Sequence, residues 1–446
     1  MKVLKTFEIG GIHPPENKIS KDVPIEVLSI PKTVYIPLSQ HLGAPAVPVV
    51  DKGDSVKTGQ LIAKGESFIS ANIHSSVTGT VTKIDSIIDS SGYRRKAIII
   101  DTSDDEWADG INSSTDIERE RNTTKDDIIK KVQDKGIVGM GGATFPSHVK
   151  LMVPKGKKVE YLIINGVECE PYLTSDHRLM LEKTEEMLIG ISLQMKALEV
   201  SRAIIGIENN KPDAIQKVKE VAQDFPGISV EPLKIKYPQG GEKQLIKALI
   251  NREVPSGKLP IEVGCVVHNV GTAFAVYEAV QKNKPLIERI VTVTGKNVAK
   301  PSNFLVRIGT PVSALIEAAG GLPSNAGKVV NGGPMMGKAL NNLDAPVTKG
   351  TSGILLFPEV ESSRKTLHNC IRCARCMSVC CMGLEPHLLA VLAENEKYEE
   401  CENERIMDCI ECGSCLYICP SGRPLLDNIR VGKAKVGQII RSRTNN

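Results

Sequence analysis

The chain has 446 residues, 41% of them hydrophobic and 24% charged, which is enough for several domains with cores of their own rather than one small stapled scaffold. Its 56 Lys and Arg against 52 Asp and Glu leave a net charge of +4, which excludes nonspecific nucleic-acid binding as the main activity and predicts no nucleic-acid partner. No apolar run approaches the ~20 residues of a membrane helix, and Met1-Lys-Val-Leu-Lys-Thr lacks the apolar core of a secretory signal, so a soluble chain that meets a membrane only through partner proteins is expected.

The pattern predicts a multidomain α/β and α+β protein. Residues 1–30 read as an irregular extended lead-in carrying Gly10-Gly11-Ile-His-Pro-Pro15. From about Lys32 to Asp101 short β-type runs alternate with Gly and Pro turns, the spacing of a small β-sandwich. The pattern GDSVKTGQLIAKGE followed by HSSVTGTVTKI resembles the biotinyl/lipoyl type of barrel-sandwich domain. No lysine stands between Glu66 and Ser76, where a carrier lysine would be, so residues 1–101 are expected to form a docking module without a swinging cofactor. Residues 102–125, rich in Asp, Ser, Glu and Arg, read as a solvated linker.

Between residues 126 and 289 helical and strand patterns alternate: a helix from Asp126, a buried strand at Tyr161-Leu-Ile-Ile-Asn165, a long helix from Leu179 to Leu198, and a strand at Arg202-Ala-Ile-Ile. A helix from Lys211 to Phe225 and a strand from Val230 continue the series. This alternation implies a layered, largely parallel α/β domain. Residues 290–358 return to β type with one helix, Val312 to Ala319, as in a β-grasp-like module.

Glycines concentrate in Gly136-Ile-Val-Gly139-Met-Gly141-Gly142-Ala-Thr-Phe145, where they let a backbone approach a flat ring or a phosphate and expose N–H groups as an anion nest. Lys150 follows at a distance suited to a phosphate or a flavin carbonyl. The run lacks the preceding strand of a Rossmann fingerprint. Asn165-Gly-Val-Glu168-Cys-Glu170 closes a strand, the end at which open α/β sheets bind ligands. Tyr237-Pro-Gln-Gly240-Gly241-Glu242-Lys243 opens a helix whose N-terminus suits phosphate, and His268-Asn269 ends another β-like run. Four such loops at element ends predict a shared pocket.

Eight of the twelve cysteines fall into two C-x₂-C-x₂-C-x₃-C runs, Cys370/Cys373/Cys376/Cys380 and Cys409/Cys412/Cys415/Cys419, within residues 365–446. This is the spacing of bacterial two-cluster ferredoxins, in which the fourth Cys of each run crosses to the other cluster. Two 4Fe–4S clusters are therefore expected, one on Cys370, Cys373, Cys376 and Cys419, the other on Cys380, Cys409, Cys412 and Cys415. Cys381 stands where a proline usually follows the first run, so Cys380 or Cys381 remains open as the fourth ligand.

GMGGATFPSHVK, NGVECEP, GGE and HNVGT, in this order, resemble the flavin- and NADH-binding subunit of respiratory complex I. The barrel-sandwich module and the paired cluster runs CIRCARCMSVC and DCIECGSCLYICP are similar to the C subunits of the Rnf family, membrane-bound ferredoxin:NAD+ oxidoreductases. The resemblance implies FMN held by Gly139, Gly141, Gly142, Lys150, Asn165, Glu168, Tyr237, Gly241, Glu242 and Asn269, with Phe145, Glu170 and Lys258 meeting NAD(H). Val167, Met140 and Lys243 depart from the complex I pattern on the nucleotide side. It further implies a β-grasp domain of the soluble-ligand-binding (SLBB) type. It also implies attachment to other Rnf-type membrane subunits and a ferredoxin-domain subunit at the cytoplasmic face, with partners moving Na+ or H+. Because clusters carry one electron and nicotinamides exchange two, a flavin is expected between them. Two rival readings fit the same motifs: a soluble relative that oxidises NADH for a substrate reductase such as proline reductase, and an electron-wiring module without flavin.

Overall fold

A computed structural model describes residues 3–119 and 122–444. At its centre four strands lie parallel in the order Ile228–Leu233, Ala203–Glu208, Tyr161–Asn165, Cys265–Asn269. Alternation along each strand feeds two cores. Leu162 and Ile164 point into the larger one, with Met187, Ile191 and Val276 of the helices Thr184–Leu198 and Val270–Gln281. Ile163 points the other way, onto Leu245 and Leu249 of the helix Glu242–Ile250. All three site loops that follow strands therefore leave the same, carboxyl-terminal edge of the sheet.

The long helix expected from Leu179 to Leu198 is two helices, Ser175–Glu182 and Thr184–Leu198. Lys183 between them has φ −128°, outside the helical range, and Glu185 and Glu186 give the second helix its own acidic first turn. The first helix begins earlier than the apolar pattern suggests because the Glu168 carboxylate accepts from the backbone of Asp176 and His177 at 2.7 and 3.2 Å.

The β-sandwich is formed by the sheets Thr33–Pro37/Arg94–Thr102/Gly79–Ile88/Ser55–Val56 and Val47–Pro48/Leu61–Lys64/Ile73–His74, closed over Val34, Ile36, Ile62, Ile73, Val81 and Ile100. Within the expected 1–101 domain, residues 5–27 pair outside these two sheets. Lys5 and Ile12 bridge to Leu233 and Tyr237 of the α/β body, and Ile25–Val27 is an edge strand parallel to Ser302–Arg307 in a six-stranded sheet. Unpaired strand edges attract extended chain, and this segment supplies it. Helix Val312–Ala318 covers that sheet over Val291, Val293, Phe304, Ile354 and Leu356.

The stretch expected as a solvated linker is largely exposed where it is described, and it also makes specific contacts. Trp107 pairs with Thr58 and lies under the Arg307 guanidinium, whose carbon is 4.9 Å from the ring centroid. Arg307 also bonds Asp105 at 2.8 Å, and Asn112 N–H donates to the Lys282 carbonyl. Buried Lys349 joins three units, its Nζ donating to the carbonyls of Asn72 and Gly136 at 2.8 and 2.7 Å. The C-terminal unit is helical, with Leu425–Thr444 packed on Pro386–Glu394; the basic tail from Lys433 belongs to that long helix. Among the described residues no helix is long and apolar enough to cross a membrane.

Candidate functional site

The glycine turn is closed by the Gly139 N–H donating to the Phe145 carbonyl at 2.9 Å, and by the Met140 N–H donating to Thr272. Gly141 and Gly142 stand exposed. A Cβ on Gly141 would meet the Asn269 amide at 2.8 Å, whereas one on Gly142 would meet nothing within 4 Å. Bare backbone thus faces open space beside Asn269, the cradle that a planar ring or an anion needs.

Asn269 caps its helix through the Gly271 N–H, and its Nδ2 donates to Asp176 at 2.7 Å and to the Asn165 carbonyl at 3.4 Å. Asn165 in turn donates to the Gly240 carbonyl at 2.8 Å. Gly241 precedes the helix Glu242–Ile250, whose N-terminus has no side-chain cap. Lys150 pairs with Glu242 at 2.9 Å and reaches the Val267 carbonyl. Gly141, Lys150, Asn165, Gly241, Glu242 and Asn269 are therefore gathered at one edge of the sheet, although they come from four separate loops.

Burial dominates the electrostatics of this edge. It raises Asp176 to about 7, helped by the neighbouring Glu168 carboxylate and opposed by the Asn269 hydrogen bond. It lowers buried His268 to about 3, with Lys150 adding to the effect, and both ring nitrogens of His268 lack a partner. Such an orphaned polar ring beside a glycine cradle fits a site shaped for a polar ligand.

The remaining residues sit differently. Glu168 spends its carboxylate on the helix Ser175–Glu182, at a backbone φ of 47°. Glu170 is closed over by the Met335 and Met336 amides at 3.0 and 2.8 Å, and burial raises it to about 7 against those two hydrogen bonds. Tyr237 is buried, and its Oη donates to the Cys412 carbonyl at 2.8 Å. Phe145 is half-buried at the end of the glycine turn, and Lys258 lies on an exposed loop whose neighbour Ser256 bonds Asp408.

Sequence reasoning missed Lys18. Its Nζ donates to the carbonyls of Glu168, Glu170 and Leu173 at 2.8, 2.9 and 2.6 Å, so one ammonium from the N-terminal arm holds the whole 168–173 turn. Nothing local to Lys18 signals this. The neighbouring Gly10-Gly11 pair is visible in the residues, but its partner is not: Gly11 N–H donates to the Val379 carbonyl, and Ile12 exchanges two backbone bonds with Tyr237. The arm thereby stitches the Tyr237 loop to the first cysteine run.

The second cysteine run is enclosed. Cys380, Cys381, Cys409, Cys412 and Cys415 line one cavity with Met382, Leu384, Leu389, Leu426 and Ile429. The Leu384 N–H donates to Cys380 Sγ, and the Glu411 N–H to Cys409 Sγ, at 3.3 and 3.4 Å. Cys381 bonds Cys412, which holds that thiol down to about 6. Among the described residues no three His, Cys, Asp or Glu side chains converge as ligands of one ion would. A cage-shaped cluster needs thiolates spread around an apolar hollow with backbone N–H donors aimed at sulfur, and this lining fits that need. Of the first run, Cys370 and Cys373 are exposed, Cys376 is half-buried, and Cys419 is buried nearby in the helical core. The scattered thiols differ: Cys401 is fully buried among apolar side chains, and Cys265 is pushed up to about 12 by burial.

Three family models match in series: an RnfC barrel sandwich hybrid domain over residues 5–106, a Nuo51 FMN-binding domain over 132–278 and an SLBB domain over 290–339. The C subunit of the proton-translocating ferredoxin:NAD(+) oxidoreductase complex of Clostridium ljungdahlii is 46% identical over 436 residues, covering 97% of this chain and 94% of that one. The corresponding C subunit of the Na(+)-translocating complex of Acetobacterium woodii is 44% identical, with 97% of both chains covered. The C subunit of an ion-translocating oxidoreductase complex of Rhodobacter capsulatus is 40% identical over 98% of this chain and 84% of its own. Among solved structures, an NAD+-reducing NiFe hydrogenase in the H2-reduced state aligns with a TM-score of 0.49 at 20% identity, over 70% of this chain and 62% of that one. The succession of domains and the identity along nearly the whole length show that the chain belongs to the Rnf family of C subunits of ion-translocating ferredoxin:NAD+ oxidoreductase complexes.

Proposed function

We propose that the chain passes electrons between two 4Fe–4S clusters and NAD(H) through FMN. It does so as a peripheral subunit at the cytoplasmic face of a membrane complex whose other subunits, one carrying ferredoxin-type domains, couple the reaction to Na+ or H+ movement. The observation that supports this most is the short polar link from the glycine-lined edge to the second cysteine run, made by Tyr237 Oη on the Cys412 carbonyl. FMN, when bound, exchanges electrons singly with clusters and in pairs with NAD(H), the conversion that neither partner makes alone.

The residues supply position. Gly139, Gly141 and Gly142 would leave their backbone against the ring, and Asn165 and Asn269, each fixed by its other hydrogen bonds, would orient it. The N-terminus of the helix Glu242–Ile250 and the Lys150 ammonium would hold the phosphate, with Lys150 exchanging its bond to Glu242. Glu168 keeps its turn in place from the far side, and Tyr237 fixes the seam to the cysteines. Phe145 and Lys258 remain the proposed contacts to the nicotinamide nucleotide. Glu170, anchored by Met335 and Met336, would meet that nucleotide only at the rim of its loop. Cys370, Cys373, Cys376 and Cys419 would hold one cluster, and Cys380, Cys409, Cys412 and Cys415 the other.

Anaerobic reconstitution followed by iron, sulfide and flavin analysis tests this. About eight irons, matching acid-labile sulfide and one noncovalent FMN per chain are expected. Zinc without sulfide, or clusters without any flavin, would refute it.

A further inference from the structure

The barrel-sandwich domain has no carrier lysine, and the electron path does not use it. Its tip, the loop 65–72 between the strands Leu61–Lys64 and Ile73–His74, meets the glycine turn of the α/β body instead.

That turn is a hairpin. Val138 bridges to Pro146, the Gly139 N–H donates to the Phe145 carbonyl, and the Ser147 N–H donates to the Ile137 carbonyl at 3.0 Å. At its base Gly136 has φ +64°, and a Cβ there would run into the Asn72 carbonyl oxygen and lie 2.8 Å from Lys349 Nζ. Asn72 Nδ2 donates to the Asp134 carbonyl at 3.1 Å, while its Oδ1 accepts from the Gly65 N–H at 3.0 Å. One side chain thus ties the tip loop to the base of the hairpin. On the returning limb the Leu42 N–H donates to the Thr144 carbonyl at 3.3 Å, and the Phe68 carbonyl faces the His148 ring. Leu42 belongs to the neighbouring loop of the same tip, where the Ala44 N–H donates to the Ile69 carbonyl and His41 Nε2 accepts from the Ala71 N–H at 3.1 Å.

Two features of this grip are costly by themselves. Thr144 has φ +53°, a left-handed backbone that a residue with a side chain keeps only where its surroundings impose it. Lys349 is fully buried, and among the described residues no carboxylate pairs with it. The titratable groups that act across the same junction, His41 and His74, are themselves held neutral by burial. A buried ammonium without a counter-ion depends on its hydrogen bonds, and those of Lys349 go to the carbonyls of Asn72 and Gly136, one on the tip and one on the turn.

Resting on the flavin reading above, we propose that the barrel-sandwich tip is a clamp that presents the glycine turn to the flavin, with Asn72 and Lys349 as its positioning residues. The clamp fixes the hairpin at Gly136 and at Thr144. Gly141 and Gly142, between those two points, are left bare and in place before a ligand arrives, and such preorganisation lowers the ordering cost of binding.

Hydrogen exchange on the flavin-free protein reads the clamp, and the rate at which bound FMN leaves, followed by its fluorescence, reads the presentation. Lys349→Met should speed exchange across residues 137–147 about tenfold or more and release FMN about tenfold faster. Exchange in Leu162–Asn165 and iron content should stay at wild-type values. Gly136→Ala, which pushes the Asn72 carbonyl away, should act in the same way. Gly156→Ala should not, because its φ is +84° and nothing lies within 4 Å of the added carbon. The visible circular dichroism of the flavin that remains bound should weaken in the clamp variants, a change that lower overall stability would not produce. If Lys349→Met does not fold, Asn72→Ala, which frees the Asp134 carbonyl and the Gly65 N–H, takes its place. Wild-type exchange in the turn of both clamp variants, or equal loosening of Leu162–Asn165, overturns the clamp. Faster exchange with unchanged FMN release and dichroism overturns its role in presentation. A wild type that protects the turn but binds no FMN means that the flavin reading has failed instead, and exchange alone then decides the clamp.

Discussion

Gly10 is where the N-terminal arm meets the cluster unit, and replacing it with alanine should loosen that seam. Its φ is +67°, and a Cβ there would lie 2.5 Å from the Cys380 carbonyl carbon and 2.6 Å from its oxygen. The left-handed backbone alone costs a residue with a side chain about 1–2 kcal/mol, and an overlap with backbone that cannot rotate away adds about 1–3 kcal/mol. Gly257 isolates the first effect, since its φ is +65° and nothing lies within 4 Å of the added carbon. Hydrogen exchange followed by mass spectrometry reads local opening directly. Gly10→Ala should speed exchange roughly 30-fold or more across the segments that contain Gly11, Tyr237 and Val379–Cys381, corresponding to about 2 kcal/mol or more. Gly257→Ala should leave those segments unchanged. Equal protection in the two variants would refute the claim that the arm holds the cysteine loop against the α/β body.

Glu170, raised from 4.5 to about 7 mainly by burial, binds its proton more tightly folded than unfolded, so the fold loses stability as pH rises through that window. Urea unfolding at several pH values should show Glu170→Gln gaining on the wild type by up to roughly 3 kcal/mol between about pH 4.5 and 7, then no further; a difference that does not vary with pH contradicts this. Lys18→Met leaves the carbonyls of Glu168, Glu170 and Leu173 without their shared donor, and should cost about 3 kcal/mol or more of local stability. Its FMN affinity should drop while iron content stays near wild type, and unchanged flavin retention would show that the turn holds itself. Cys380→Ala should remove about half of the iron whereas Cys381→Ala should not, because the proposed fourth ligand is Cys380. The reverse pattern, measured by iron analysis, would move that role to Cys381.

Periodicity carries the α/β body well. Leu162-Ile-Ile164 is continuously apolar and buried on both faces, and the neighbouring strands repeat the pattern, so a parallel sheet is legible in the residues. The break in the long helix is not, because Lys183 carries no Gly or Pro to announce it; it arises where the Glu168-capped helix ends and a new acidic turn begins. Trp107 and Arg307 are 200 residues apart, and no local signal could show that they stack and turn a polar stretch into a strap. The site follows the same division. Glycines and strand-end Asn residues declare themselves because backbone approach and capping demand those types, as at Gly141 and Asn269. Lys18, Asp176 and the Met335–Met336 amides act through long-range contacts and are visible only once the chain is folded.

The central claim is that a dinucleotide edge and two clusters share one polypeptide so that paired and single electrons interconvert. Anaerobic titration of the reconstituted protein with NADH, followed by flavin absorbance, tests it most directly. The account predicts bleaching of a bound flavin in wild type, and retention of flavin but loss of one of the two clusters in a Cys409→Ala/Cys412→Ala protein. It further predicts loss of both flavin and bleaching in Gly141→Leu, whose side chain would run into Asn269. A reconstituted wild type that holds iron and sulfide but shows no flavin band, or a band that NADH leaves unchanged, would contradict it.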